Sequence, residues 1–228
     1  LNQFLLDLKR NNQVEWEVSM YSDIAKATVL GKGKLSSLSI SFNNVLSDYF
    51  PTIFSLHKLN DTTLHQITIE GNFMRLDSFL GFFIPDIHFS DLSFAGKFDE
   101  QDKLIRIYLN GSEGKLMGFH FHDPSISVET MDKKIFVSTS AASLGNENLH
   151  VNNFHFSYVH NSNVGDFSID WNNLDVFSGS LNGKIFFNPF QQYILVFSQS
   201  SLNVKDSLYA IQPGSTVVYD TSGIYFRN

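Results

Sequence analysis

His120 and His122 flank Phe121, so on a strand their imidazoles point to one face and offer two nitrogens to a metal ion. His88, His150, His155 and His160 add nitrogens elsewhere, but no carboxylate stands at a matching spacing. Both residues are therefore expected on a solvated face opposite Phe119 and Phe121, with no metal. Asp99, Glu100 and Asp102 form an acidic group that could chelate calcium. It lacks the glycine-spaced loop of an EF-hand and reads equally as a polar hairpin tip. Asp166 and Asp170 alternate with Phe167 and Ile169, which places them on the outer face of a strand rather than around a sugar cleft. Gly31-Lys-Gly33-Lys34 lacks the phosphate-loop spacing. In Gly179-Ser-Leu-Asn-Gly183 the serine falls one place too early for a nucleophile elbow. No nucleophile stands beside a base, so the expectation is a protein that is not an enzyme and needs no cofactor.

The elements that would carry these residues are mostly strands. Twenty-three of the 228 residues are Phe, while charged residues make up only 17%. Flat and β-branched side chains suit a pleated surface, and the many Asn, Ser and Asp supply the polar half of half-buried strands. From Ile87 the alternation is regular. Leu92, Phe94 and Phe98 precede Ile105, Ile107 and Leu109. Phe119 and Phe121, Ile126 and Val128, and Ile135 and Val137 follow, with Asp123-Pro124 and Asp132-Lys133 as turns. Phe154, Phe156 and Tyr158, then Phe167, Ile169 and Trp171, then Leu181, Ile185 and Phe187 continue the pattern. No amphipathic helix interrupts it, which excludes a parallel α/β sheet there.

The first 86 residues are mixed. Phe4, Leu5 and Leu8 have helical spacing, as do Phe42, Val45, Leu46 and Tyr49 within 42–56, and Leu76, Phe79, Leu80 and Phe83 within 73–83. Strand character is expected around Trp16–Ile40 and Thr63–Glu70. The expected organisation is a mixed strand and short-helix segment over 1–86 and a repetitive β region over 87–228, together one continuous piece of a longer chain.

Composition narrows the partners. A net charge of −7 without basic clusters argues against nucleic acid and against tight docking on anionic membranes. The absence of Cys excludes disulfides and thiol chemistry. No apolar run approaches the roughly 20 residues that a membrane-crossing helix needs.

The carboxy-terminal third carries a family likeness. It lies in Leu149-His-Val-Asn-Asn-Phe154-His-Phe156-Ser-Tyr158, in Gly165-Asp-Phe-Ser-Ile-Asp-Trp171, in Phe177-Ser-Gly-Ser-Leu-Asn-Gly183-Lys-Ile-Phe-Phe187, and in the stretch from Ser201 through Pro213 to Gly223-Ile-Tyr-Phe-Arg-Asn228. These segments resemble the central β-repeat region of TamB-like proteins of the Bacteroidota, within the AsmA-like superfamily. The resemblance is clearest over 87–228. One departure is Tyr209, where such segments commonly carry Trp.

The resemblance implies an all-β fold: an elongated, curved, mostly antiparallel sheet forming an open trough (a β-taco), with one or two short helices in the N-terminal third. It also implies a periplasmic location in a parent anchored in the inner membrane by a helix outside this chain, and phospholipid transfer between inner and outer membranes. The alternative function is a scaffold that assists outer-membrane protein assembly by strand pairing, with an outer-membrane β-barrel as a partner of other parts of the parent. A polysaccharide-binding module is a third reading. Phospholipid acyl chains are the expected ligand. The candidate lining is Ile105, Ile107, Leu109, Phe119, Phe121, Phe154, Phe156, Tyr158, Phe167, Ile169, Trp171, Ile185 and Phe187. On strand pattern alone the favoured reading of the same residues is half of a closed sandwich core, and the resemblance turns it to a groove.

Overall fold

In a computed structural model the chain forms one large, curved antiparallel sheet, with eighteen strands and a single α-helix among the described residues. The structure describes all residues except 1–3, 13, 52–53, 55, 57–63, 76–87, 117, 148, 163, 174–176, 189–191, 221–222 and 228.

The strands are β1 (Phe4–Arg10), β2 (Glu15–Ser22), β3 (Ala25–Lys32), β4 (Gln66–Arg75), β5 (His88–Asp99), β6 (Leu104–Asn110), β7 (Glu113–Leu116), β8 (Phe119–His122) and β9 (Ser125–Met131). They continue as β10 (Lys134–Gly145), β11 (His150–Asn161), β12 (Val164–Asn173), β13 (Phe177–Asn188), β14 (Gln192–Phe197), β15 (Ser200–Val204), β16 (Ser207–Ile211), β17 (Thr216–Asp220) and β18 (Gly223–Arg227). Helix α1 (Leu38–Tyr49) follows a single 3-10 turn, Leu35–Ser37.

Pairing is a meander in which each lane bonds the lane before it. β1 to β5 pair in sequence. β6 and β7 run end to end along β5, and β9 and β8 run end to end between them and β10. β10 to β13 pair in sequence; β14 and β15 then share the far side of β13, with β17 and β16 beyond them and β18 outermost. Among the described residues β1 pairs only with β2 and β18 only with β17, so the sheet does not close into a barrel.

Because side chains alternate along a strand and registered neighbours share a face, one apolar face can be followed across the lanes. It runs through Val18, Val29, Ile69, Gly96, Ile107, Val128, Val137, Tyr158 and Phe167. The opposite face carries pairs such as Arg106 with Glu129 and Lys184 with Asp166. At one level the alternation slips by a residue: Asp91, Asp123 and Asn153 take left-handed φ of 51°, 47° and 49°, a conformation that Asp and Asn tolerate. Beyond this seam Phe89, three residues from Leu92, packs against it on the same face, and Phe89 stacks with Phe121 at 6.5 Å.

Three sequence expectations are corrected. Residues 4–10 form a strand, not a helix, since pairing of Leu6 with Met20 and Leu8 with Val18 puts their alternate residues on the apolar face. Residues 73–75 belong to β4, with Phe73 opposite Leu92, while the rest of the 73–83 helical expectation lies outside the described residues. The helix expected over 42–56 begins earlier and ends at Tyr49. Its apolar residues Leu38, Phe42, Val45, Leu46 and Tyr49 fall on one stripe, and Phe50 leaves helical geometry (φ −127°, ψ 66°) ahead of Pro51.

Candidate functional site

Helix α1 lies across the strands on the apolar face. Val45 and Tyr49 are buried with Phe98, Ile105 and Ile135, and Ile67, Val128 and Val137 pack around them. Beyond its end, Phe50 stacks on His160 of β11 at 4.3 Å. The helix thus spans lanes from β4 to β11 near their Asp99–Leu104, Met131–Lys134 and Asn161–Val164 ends. At its flank an apolar cleft of about 480 Å³ opens between Leu35, Leu38 and Phe42 and the sheet residues Ile67, Phe98 and Ile107.

Two clasps hold the helix down. At its start the His65 ring, 1% exposed, bonds through Nδ1 to Glu100 Oε2 at 2.8 Å. Its Nε2 lies 3.1 Å from both Ser37 Oγ and the Lys34 carbonyl oxygen. The chain Ser37–His65–Glu100 has the connectivity of a catalytic triad, with the ring nitrogen Nδ1 donating to Glu100 and Nε2 facing both the Ser37 hydroxyl and the Lys34 carbonyl. The serine hydroxyl also lies within 3.2 Å of that carbonyl, which offers it a second acceptor. The arrangement ties the 3-10 turn to the β5–β6 hairpin. Burial pushes the Glu100 carboxyl up, yet the hydrogen bonds it accepts from the His65 ring and backbone N–H outweigh this and hold it below the usual carboxylate range. At the helix end Tyr49 Oη donates to the Lys103 carbonyl at 2.8 Å, and Asp48 pairs with Lys103.

The thirteen candidate lining residues fall on one face. Ile105, Ile107 and Leu109 register with Phe98, Gly96 and Phe94. Phe154, Phe156 and Tyr158 register with Ala141, Thr139 and Val137. Phe167 and Ile169 face Tyr158 and Phe156; Trp171, Ile185 and Phe187 share their parity through β13. Phe119 and Phe121 join this face beyond the seam, through Leu116 and Gly114. The residues differ in cover: Ile105 is 5% and Phe167 6% exposed, Ile107 is 38% exposed, and Leu109, Phe154, Phe156, Ile169, Trp171 and Ile185 are half-buried. His160, on the same face, bonds Tyr158 Oη through Nδ1 at 2.8 Å. Burial pushes its imidazole below the ordinary 6.5 and pushes the Tyr158 hydroxyl up to about 12.

The titratable groups singled out in the sequence lie elsewhere. His120 and His122 are exposed on the opposite face. With His88, Glu113, Lys115 and His150 they line a shallow cavity of about 440 Å³. Among the described residues no three His, Asp or Glu side chains converge on a point that could hold a metal. Asp166 is exposed and pairs with Lys184 at 3.5 Å. Asp99 is 3% exposed and caps the backbone N–H groups of Gln101 and Asp102. The His65 clasp has no counterpart in the sequence reading, because its partners stand 28 to 35 residues away and only the register unites them. No family model, curated protein or solved structure matches the chain.

Proposed function

We propose that this chain is a wall of a periplasmic groove that conducts phospholipid acyl chains between the inner and outer membranes, as a TamB-like segment of an inner-membrane-anchored parent. The observation that carries the reading is the apolar face that runs in register from β2 to β12, on which Phe154, Phe156, Ile169 and Trp171 stay partly exposed beyond the reach of α1. A lipid conduit needs this arrangement. Each buried methylene is worth about 0.8 kcal/mol, so ten of them on a wall contribute on the order of 8 kcal/mol without any fixed polar contact. An acyl chain spans roughly half of a 30 Å hydrocarbon layer, which is about three lanes at a spacing near 4.8 Å. Chains can therefore pass from lane to lane with little change in contact. The reading is non-catalytic and takes the Ser37–His65–Glu100 chain, whose His65 ring is 1% exposed, as a structural clasp.

The test is lipid extraction and mass spectrometry on the gently purified protein, beside a Phe156→Asp/Ile169→Asp variant. Phospholipid in the first and its loss from a still-folded variant is the expected result. A well-folded protein free of lipid in both cases would sink the proposal and favour the alternative, a scaffold for outer-membrane strands. One observation supports that alternative: β1 and β18 are each paired on one side only among the described residues, leaving backbone groups to template a further strand.

A further inference from the structure

We infer that the rim of the sheet opposite α1 carries, on its polar face, a binding site for a phosphomonoester, with Lys115, His88 and His120 for the phosphate and a notch over Gly145 for the polar group that bears it. The inference goes beyond the groove reading and does not depend on it, since these residues lie on the face turned away from the candidate lining. Strand register builds the site. His88 opens β5 opposite Lys115 of β7, and Lys115 lies opposite His120 of β8. His120 faces Gly145 at the end of β10, and Gly145 faces His150 at the start of β11. The five residues make one transverse row, and residues directly opposed across a strand pair have Cβ atoms about 4.5–5.5 Å apart. A second row beside it holds Glu113, His122 and Ser143. Both rows line the cavity of about 440 Å³, a size usual for sites that take small molecules.

The charge pattern is what sets this rim apart. Elsewhere on the polar face cations are matched by carboxylates: Arg106 pairs with Glu129, Lys184 with Asp166 and Lys97 with Asp99. Both cross-strand neighbours of Lys115 are imidazoles instead. Among the described residues neither Lys115 nor His120 makes an ion pair or a side-chain hydrogen bond. Two further rings are steadied by near neighbours, with His122 Nε2 3.5 Å from Asp123 and His150 Nε2 3.1 Å from Asn152 Oδ1. Glu113, the carboxylate of the lining, stands in the second row opposite His122. The first row therefore presents an ammonium and imidazole N–H groups to an anion. Three donor groups side by side match the three terminal oxygens of a phosphomonoester, where a carboxylate or a phosphodiester offers only two. Gly145 is buried and brings no side chain, so the row opens between His120 and His150 into a notch two lanes wide, roughly 10 Å. Ser143 and Asn146 stand at its wall and offer hydroxyl and amide groups to a polyol.

The experiment titrates the full chain with glycerol 3-phosphate at low ionic strength and follows the histidine ring signals by NMR. Those of His88, His120 and His150 should move and saturate together. His155, exposed on the same face but outside the cavity, should stay fixed, and chloride at matched ionic strength should move none of them. Lys115→Gln should weaken the affinity about tenfold, the loss of one charged hydrogen-bonded contact, and His120→Gln severalfold, both with an unchanged circular dichroism spectrum. A single-tailed phosphatidic acid below its micellar concentration tells the source of the phosphate. Affinity equal to that of glycerol 3-phosphate assigns a soluble phosphomonoester, and tighter binding that Lys115→Gln still weakens assigns a lipid headgroup. Ring signals that drift without saturating, or that carry His155 with them, overturn the site. So does saturable binding that Lys115→Gln leaves unchanged.

Discussion

Ile105 and Ile169 occupy the same face of the same sheet, yet Ile105 is buried beneath α1 while Ile169 is only half-covered. The lanes from β4 to β11 acquire a second layer at one end: a twelve-residue helix, clasped at its start through His65 and Glu100 and at its end through Tyr49, Asp48 and Lys103. The lanes from β12 to β18 have no such helix among the described residues, and on the last of them Phe226 is 80% exposed. The sequence pattern differs in part, since Tyr193–Phe197 and Val217–Tyr219 are continuous apolar runs and Phe167 and Val218 are buried without the helix. The larger difference lies in what is laid on the face, where Ile105 becomes core and Ile169 stays partly open.

The sharpest way to break this comparison is to put a charge on each side of it. Val45→Asp, with no partner beneath the helix, should cost at least about 4 kcal/mol or unfold the chain. Ile169→Asp on the uncovered lanes should cost about 1–2 kcal/mol, both read from urea unfolding. Equal losses would mean that the uncovered face is a core after all.

Acid should probe the covered region next. His160 has a folded pKa below its ordinary 6.5, so the unfolded chain takes up the proton first. Its contribution is complete above that value and declines as pH falls below it. The depressed Glu100 carboxyl adds a second decline below its ordinary 4.5. Thermal melts across pH 7.5 to 3.5 should show both, and His160→Phe should flatten the upper one alone.

The smallest effect should come from Tyr49→Phe, which removes one hydrogen bond to Lys103. About 1 kcal/mol is expected in the same urea assay. A loss several times larger would assign the helix to a hydrogen-bonded clasp rather than to its apolar stripe.

Much of the sheet was legible because its grammar is local. From residue 87 onward, alternation and polar turns place the lining residues of each strand on one of its faces, and the register then joins those faces across the sheet. The apolar character of 4–10 misled for a physical reason. Phe4, Leu5, Leu6 and Leu8 are apolar on both sides of the strand, all well exposed, so period 2 and period 3.6 could not be told apart there. The slip at Asp91, Asp123 and Asn153 was hidden as well, because a left-handed residue resets alternation without leaving a composition signal. The His65 clasp could not be read, since it depends on partners that only strand register brings together.

The strict meander has a consequence for how the molecule forms and how its length can change. Every lane bonds the lane made just before it, and from β5 onward each added lane needs only a short loop closure and one existing edge, whereas β3 and β4 are joined through α1 and residues 33–65. Folding can then start at several hairpins and spread outward, as in repeat proteins whose units contact only their neighbours. Insertion or loss of one hairpin alters the span by two strand spacings, roughly 10 Å, and keeps both the face and the direction of every other lane. A protein built this way can be tailored to the width of the gap it must bridge by counting hairpins, with no redesign of the rest.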